Sequence, residues 1–256
     1  MSAVKNEVNH WFDRRCAKAF WSQRELPPYK ELLEDTVAWL EPKPGQRWLD
    51  LGCGSGQLTR RLWLGSGGTL AEMVATDCAA VNEQSIARVA TEVEPKPAPG
   101  IMRFQQGDFS DGLPGFPTNH FDGAVSGLAI QYAQHFSRET GQWTTYAYDR
   151  LLAEVCRVLK PGGRFVFSVN VPRPMWLRIA LFGIPGFFQT RRPFRYVKDS
   201  YRMLRYGSWL KQEAARGRFH YLPAEQVTAK LKVGGFSEVE FKMSFSQQAY
   251  VFRALK

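Results

Sequence analysis

The sequence predicts an α/β fold: a largely parallel sheet with crossover helices on both faces. Two observations carry this reading. From Arg47 onward, short β-branched or apolar runs alternate with amphipathic runs of helix length. A glycine-rich turn, Gly52 to Gly56, joins the first strand of that series to its first helix. Size agrees, because 256 residues with 44% hydrophobic and 23% charged side chains suffice for one large domain or two small ones. Eighteen Phe, nine Tyr and eight Trp exclude a mainly disordered chain. The most apolar run, Pro174 to Phe188, is too short to cross a bilayer and is broken by Arg178, Gly183, Pro185 and Gly186. The start, MSAVKNEVNHWFDRR, lacks the apolar core and cleavage site of a secretion signal, so a cytoplasmic chain is expected.

Taken in order, Tyr29, Leu33, Val37 and Leu40 repeat at helical spacing, and Glu41 to Gly45 (EPKPG) ends that helix. Trp48 to Leu51 is a buried strand. Gly56 to Trp63 opens a helix with Leu58 and Leu62 on one side. Glu72 to Asp77 is the second strand, with a helical stretch after it through Val89. Ile101 to Gln106 and Phe121 to Ser126 are the third and fourth strands. Tyr146 to Leu159 reads as a helix burying Leu151, Leu152, Val155 and Leu159, and Lys160 to Gly163 (KPGG) turns it into a fifth strand, Arg164 to Asn170. Ala224 to Leu231 is helical. Glu238 to Met243 and Gln248 to Arg253 alternate as strands close enough to form an antiparallel hairpin. The expected organisation is a single domain over 1–256: a helical cover (1–45), a core (46–172), an insert (173–220), and a last helix with the terminal strand pair (221–256).

The insert breaks the alternation. It carries eleven Lys/Arg against two acids, a net +9, while the whole chain is +10. It also holds ten aromatics, Trp176, Tyr196, Tyr206 and Trp209 among them. Basic character therefore belongs to this segment, and an anionic partner is expected there. Cysteines 16, 53, 78 and 156 form no CxxC pair and histidines 10, 120, 135 and 220 no ligand spacing, so reduced thiols and no metal site are expected.

Chemistry gathers at the strand ends. Glycines in DLGCGSG (50–56) let the backbone turn sharply and approach a ligand beside a helix N-terminus. Asp77, closing the second strand, could accept from both hydroxyls of a ribose, and Asp108 from an exocyclic adenine amine, with Phe109 packing on the base. Each Asp alone could be a helix cap or turn residue. Three of them, Asp50, Asp77 and Asp108, in register with a glycine loop, predict a nucleoside site.

These residues resemble the class I S-adenosylmethionine-dependent methyltransferases, through WLDLGCGSG (48–56), VATD (74–77), GDF (107–109), FDGAVSGLAI (121–130) and EVCRVLKPGGRFVFS (154–168). The resemblance covers about residues 28 to 172 and, more loosely, 222 to 255. It implies a Rossmann-like seven-stranded sheet of order 3-2-1-4-5-7-6 with strand 7 antiparallel. It also implies S-adenosylmethionine as cofactor, with Gly52 and Gly54 along its methionine part and Asp50 orienting its amino group. Asp77 would hold the ribose, Asp108 and Phe109 the adenine, and Ser126 and Leu128 would lie beside the sulfonium; Cys53, Gly56 and Cys78 complete the expected set. In some relatives an aromatic before the first strand touches the cofactor carboxylate, for which Phe20, Trp21 and Tyr29 are candidates.

The substrate side is less specified. Tyr132 and His135, or His220 and Tyr221 at the exit of the insert, are candidate bases, each equally able to be structural. The insert would cover a small acceptor with a lipophilic body and an acidic group, or touch an anionic membrane surface through its Trp176–Phe188 stretch. A nucleic-acid clamp, hence an RNA methyltransferase, is a further reading, as is a non-catalytic partner protein built on a cofactor fold. A nicotinamide oxidoreductase would keep a third glycine where this chain has Gln57.

Overall fold

Strand periodicity explains why the sheet is covered twice. In the computed structural model, which describes residues 9–12, 26–189 and 193–256, seven strands form one sheet. They are β1 (Arg47–Leu51), β2 (Glu72–Asp77), β3 (Met102–Gln106), β4 (Phe121–Gly127), β5 (Leu159–Asn170), β6 (Ser237–Ser244) and β7 (Ala249–Leu255). Their order is 3-2-1-4-5-7-6. Strands 1 to 5 pair in parallel, and β7 runs antiparallel between β5 and β6. Alternate residues of β1 and β5 go to opposite faces. Leu49, Leu51, Phe165 and Phe167 pack with helices Tyr146–Val158 and Ala224–Val233. Trp48 and Val166 pack with helices Pro27–Val37, Gln57–Gly65 and Glu83–Glu92. In chain order these helices are α1 (27–37), α2 (57–65), α3 (83–92) and α4 (146–158), with α7 (224–233) last.

Two local features refine the expected elements. The KPGG segment is not a free turn: β5 starts at Leu159, opposite Phe121, and bulges before Arg164 pairs with Gly123. Gly123 is dictated by packing, because a Cβ there would stand 2.5 Å from the buried Trp48 ring. Between β4 and α4 the chain also adds a small antiparallel hairpin, His135–Ser137 with Gln142–Thr144.

The insert folds as two helices, α5 (Trp176–Gln189) and α6 (Pro193–Ala215). They pack on each other, and Tyr196 donates to the Gly183 carbonyl at 2.5 Å. A helical turn, His10–Phe12, docks on α6: His10 bonds the Tyr206 hydroxyl and its ring lies 4.4 Å from that of Trp209. One cation of the insert is structural. Arg218 is buried, paired with Glu213 at 3.1 Å and bonded to Gln134 at 2.8 Å. Among the described residues no helix is long and apolar enough to cross a membrane.

Candidate active site

The parallel strands end at one rim, and a cavity opens there. Asp50, Gly52, Cys53, Gly54, Asp77, Cys78, Asp108, Phe109, Leu128 and Tyr132 line it, drawn from the ends of β1 to β4 and the loops beyond. The loop geometry follows from its glycines. Gly52 and Gly54 have φ of +70° and +50°, a region open to Gly at little cost. A Cβ on Gly52 would collide with that of Ala129 at 2.3 Å, whereas one on Gly54 would meet nothing within 4 Å. The Gly54 N–H donates to Asp77 Oδ2 at 3.0 Å and the Ala79 N–H to Oδ1 at 2.9 Å. Burial nonetheless pushes the Asp77 carboxyl upward. Leu128 also adopts positive φ (+52°), with its N–H held by Ser168.

Asp50 is the most unusual group. It is 1% exposed; Oδ2 accepts from the Thr59 hydroxyl at 2.6 Å, and Oδ1 has no partner. Burial, only partly offset by the Thr59 hydrogen bonds, lifts its pKa to about 7. Two further cavity-lining atoms are buried without partners, Asn170 Oδ1 and Trp176 Nε1. Buried polar atoms of this kind are uncommon in folded proteins, and here three of them edge one cavity.

The other expected site residues lie elsewhere. Gly56 (φ +77°) does not line the cavity; it packs under α3, where a Cβ would stand 2.9 Å from Val89. Ser126 is fully buried and donates to the Leu51 carbonyl at 2.7 Å, so it is spent on the neighbouring strand. His135 sits in the small hairpin, bonded through Nδ1 to Thr144 at 2.8 Å. His220 is buried, with Nε2 on the Ala133 carbonyl at 2.8 Å, and burial drops its pKa to about 4. Neither histidine lines the cavity. Tyr221 stands behind it, its hydroxyl 3.2 Å from that of Tyr132. Burial pushes Tyr132 to about 12 and raises Tyr221 well above the ordinary tyrosine value, so both phenols are neutral hydrogen-bonding groups rather than bases. Tyr29 lines the cavity; Phe20 and Trp21 lie outside the described residues, as do Arg191 and Arg192 of the insert.

Sequence reasoning missed Asn9, Trp11, Asn82, Asn170, Trp176 and Phe245, which also line the cavity. Asn9 donates to Asp108 Oδ2 at 2.6 Å, and Trp11 lies 4.6 Å from the Tyr132 ring. Among the described residues no cluster of His, Cys, Asp or Glu could hold a metal ion.

A sheet of this order with a glycine loop and acids at its strand ends is the architecture that the resemblance to class I methyltransferases implies. Residues 49–167 match the methyltransferase domain family, and the chain is similar to S-adenosylmethionine-dependent methyltransferases. It is similar to the ubiquinone/menaquinone biosynthesis C-methyltransferase UbiE of Acidiphilium cryptum, 26% identical over 213 residues (79% of this chain, 76% of that one). Over 131 residues it is 34% identical to the 2-phytyl-1,4-naphtoquinone methyltransferase of Synechococcus elongatus (50% of this chain, 47% of that one). An S-adenosylmethionine-dependent methyltransferase from Mesorhizobium loti shares the fold with a TM-score of 0.54 at 20% identity, over 87% of this chain and 96% of that one.

Proposed function

We propose that the chain moves a methyl group from S-adenosylmethionine to a small lipophilic acceptor held beneath the insert, the whole acting as one methyltransferase unit. The observation that carries this reading is the two-sided cavity: carboxylates and a glycine loop on one side, apolar and aromatic walls with a buried hydroxyl pair on the other.

The cofactor fits the residues present. The unpartnered Asp50 Oδ1 would take its ammonium group, which a buried carboxylate needs for charge balance. The open space above Gly54 leaves room for the methionine part. Asp77, fixed by two backbone N–H groups, would hold the ribose hydroxyls, and Asp108 with Phe109 the adenine. Bound there, the sulfonium supplies an electrophilic methyl carbon. The protein's part is alignment and exclusion of water. Leu128 and Trp176 line the cavity with apolar surface. The Asn170, Tyr221 and Tyr132 side chains form a hydrogen-bonded row that would hold an acceptor oxygen. Tyr132, the phenol of the row that lines the cavity, would donate to that oxygen and stabilise negative charge developing on it, which favours an acceptor that reacts as an enolate or phenolate.

Relatives named for methylating quinones support a lipophilic ring acceptor. The test is incubation with methyl-labelled cofactor and a panel of phenols and hydroquinones, preceded by calorimetry with the cofactor alone. Label in an organic-extractable product is expected. Absence of binding heat with S-adenosylmethionine refutes the reading, and label in RNA instead would redirect it.

A further inference from the structure

Helix α5 is strongly apolar, with Arg178 as its one charged residue. Among its described residues, Trp176, Ile179 and Gly183 are buried, and Trp176 reaches the cavity wall. Leu177, Leu181 and Ile184, spaced i, i+4, i+7, form an outward stripe at 66%, 55% and 50% exposure, flanked by Met175 and Phe182. The start of α6 repeats the pattern with Phe194, Val197 and Tyr201, also at helical spacing, exposed by 90%, 55% and 63%.

We propose that this face of α5 and α6 docks on the surface of a membrane that carries anionic lipid. Charge chooses among the possible occupants. The segment 173–220 is basic overall, with exposed cations beside the stripe, so a symmetric contact with a second copy of the chain would set like charge against like. Lys198 and Arg205 are exposed on α6 beside the stripe, where they meet lipid phosphates while the apolar side chains enter the acyl boundary. The α5 stripe itself, Leu177, Leu181 and Ile184, is aliphatic, which suits an acyl boundary rather than base stacking, and the rings of Phe182, Phe194 and Tyr201 flank it. Neither helix can span, so the pair lies on the bilayer. Exposed Leu177 is the direct neighbour of Trp176 in the cavity wall. The helix that would meet lipid thus also forms part of the cavity wall, and a route for an acceptor from lipid to the cavity would pass this helix. That route rests on the lipophilic-acceptor reading; the docking face does not.

The test is co-sedimentation of the full chain, without cofactor or acceptor, with vesicles of phosphatidylcholine alone or mixed with phosphatidylglycerol. Binding to the mixed vesicles and release by salt are expected. The double variant Leu177→Ser, Phe194→Ser should partition at least about tenfold more weakly, two apolar side chains having been lost from the contact. Both residues lie off the cavity, so its heat of binding to S-adenosylmethionine should match the unaltered chain. Equal sedimentation of variant and unaltered chain overturns the proposal, as does failure to bind anionic vesicles. Light scattering that finds a dimer which the double variant dissolves overturns it in favour of a second copy, and displacement from vesicles by single-stranded RNA in favour of nucleic acid. Vesicle binding with no cofactor heat supports docking while removing the methyl-transfer reading.

Discussion

Asp50→Asn separates charge from shape at the floor of the cavity. In the unliganded chain the Asp50 carboxyl has one bonded oxygen, one without a partner, and a pKa of about 7 because it is buried. An ammonium group placed against it favours the carboxylate, so below neutrality binding must expel a proton. Each pH unit below the free-state value costs about 1.4 kcal/mol, and affinity near pH 5 should fall on the order of 100-fold from its neutral value. Calorimetry in buffers of different ionisation heat reads both the slope and the released proton. The Asn variant should lose both, and bind about tenfold or more weakly near neutrality through loss of a charged hydrogen bond. Stability has the opposite sense. A carboxyl whose pKa is higher folded than unfolded favours the protonated native state, so the unliganded chain loses stability as pH rises from about 4 to about 7. Asp50→Asn should abolish that loss and melt higher than the unaltered chain near neutral pH. A flat affinity across this range, or the same slope in the variant, would refute the assignment of Asp50 to a cationic ligand group.

Gly54→Ala should keep the fold, at a cost of about 1–2 kcal/mol in a thermal melt for its positive φ, and lose at least about tenfold in cofactor affinity because its methyl enters the cavity. Gly52→Ala should instead fail to fold or melt far lower, since its methyl would overlap Ala129; equal behaviour of the two would show that the loop does not border the ligand. Asp77→Ala should weaken cofactor binding by about 1–3 kcal/mol, and unchanged affinity removes the ribose assignment. Tyr132→Phe should leave cofactor affinity alone and lower kcat/KM about tenfold through one lost hydrogen bond to the acceptor, and unaltered turnover removes Tyr132 from the chemistry.

The half of the site that could be read from sequence is the half built at strand ends. Asp50 and Asp77 each come after short apolar runs and Asp108 closes the third strand, and parallel strands bring such ends to one rim whatever the intervening loops do. The other half comes from segments with no periodic mark. Asn9 and Trp11 lie far upstream of the sheet, and Phe245 sits in the turn between β6 and β7. Closeness along the chain also misled. His135 follows Leu128 by seven residues, yet the hairpin pairs it with Thr144, and His220 is consumed by a backbone carbonyl. In α5, Gly183, Pro185 and Gly186 are poor helix formers, yet the helix runs through them because Trp176 and Ile179 bury against the core.

The N-terminal turn joins what the sequence divides into a cofactor core and a substrate cover. Asn9 gives its amide to Asp108 Oδ2, and the Ser110 N–H occupies Oδ1. A carboxylate oxygen accepts more than one donor, so an adenine amine can share Oδ2 with Asn9 rather than displace it. The next residue, His10, is held by Tyr206 and Trp209 of α6, and Trp11 lies against Tyr132 on the acceptor side. Three consecutive residues therefore touch the adenine-side carboxylate, the lid helix and the acceptor-side phenol. Apolar contacts of this kind, with Trp11 packed against buried Tyr132, Leu210 and Phe219, resist independent movement of the parts they join. Any displacement of α6 would then pull on Asn9 at Asp108, so under the proposed function the position of the insert and the hold on the cofactor would change together.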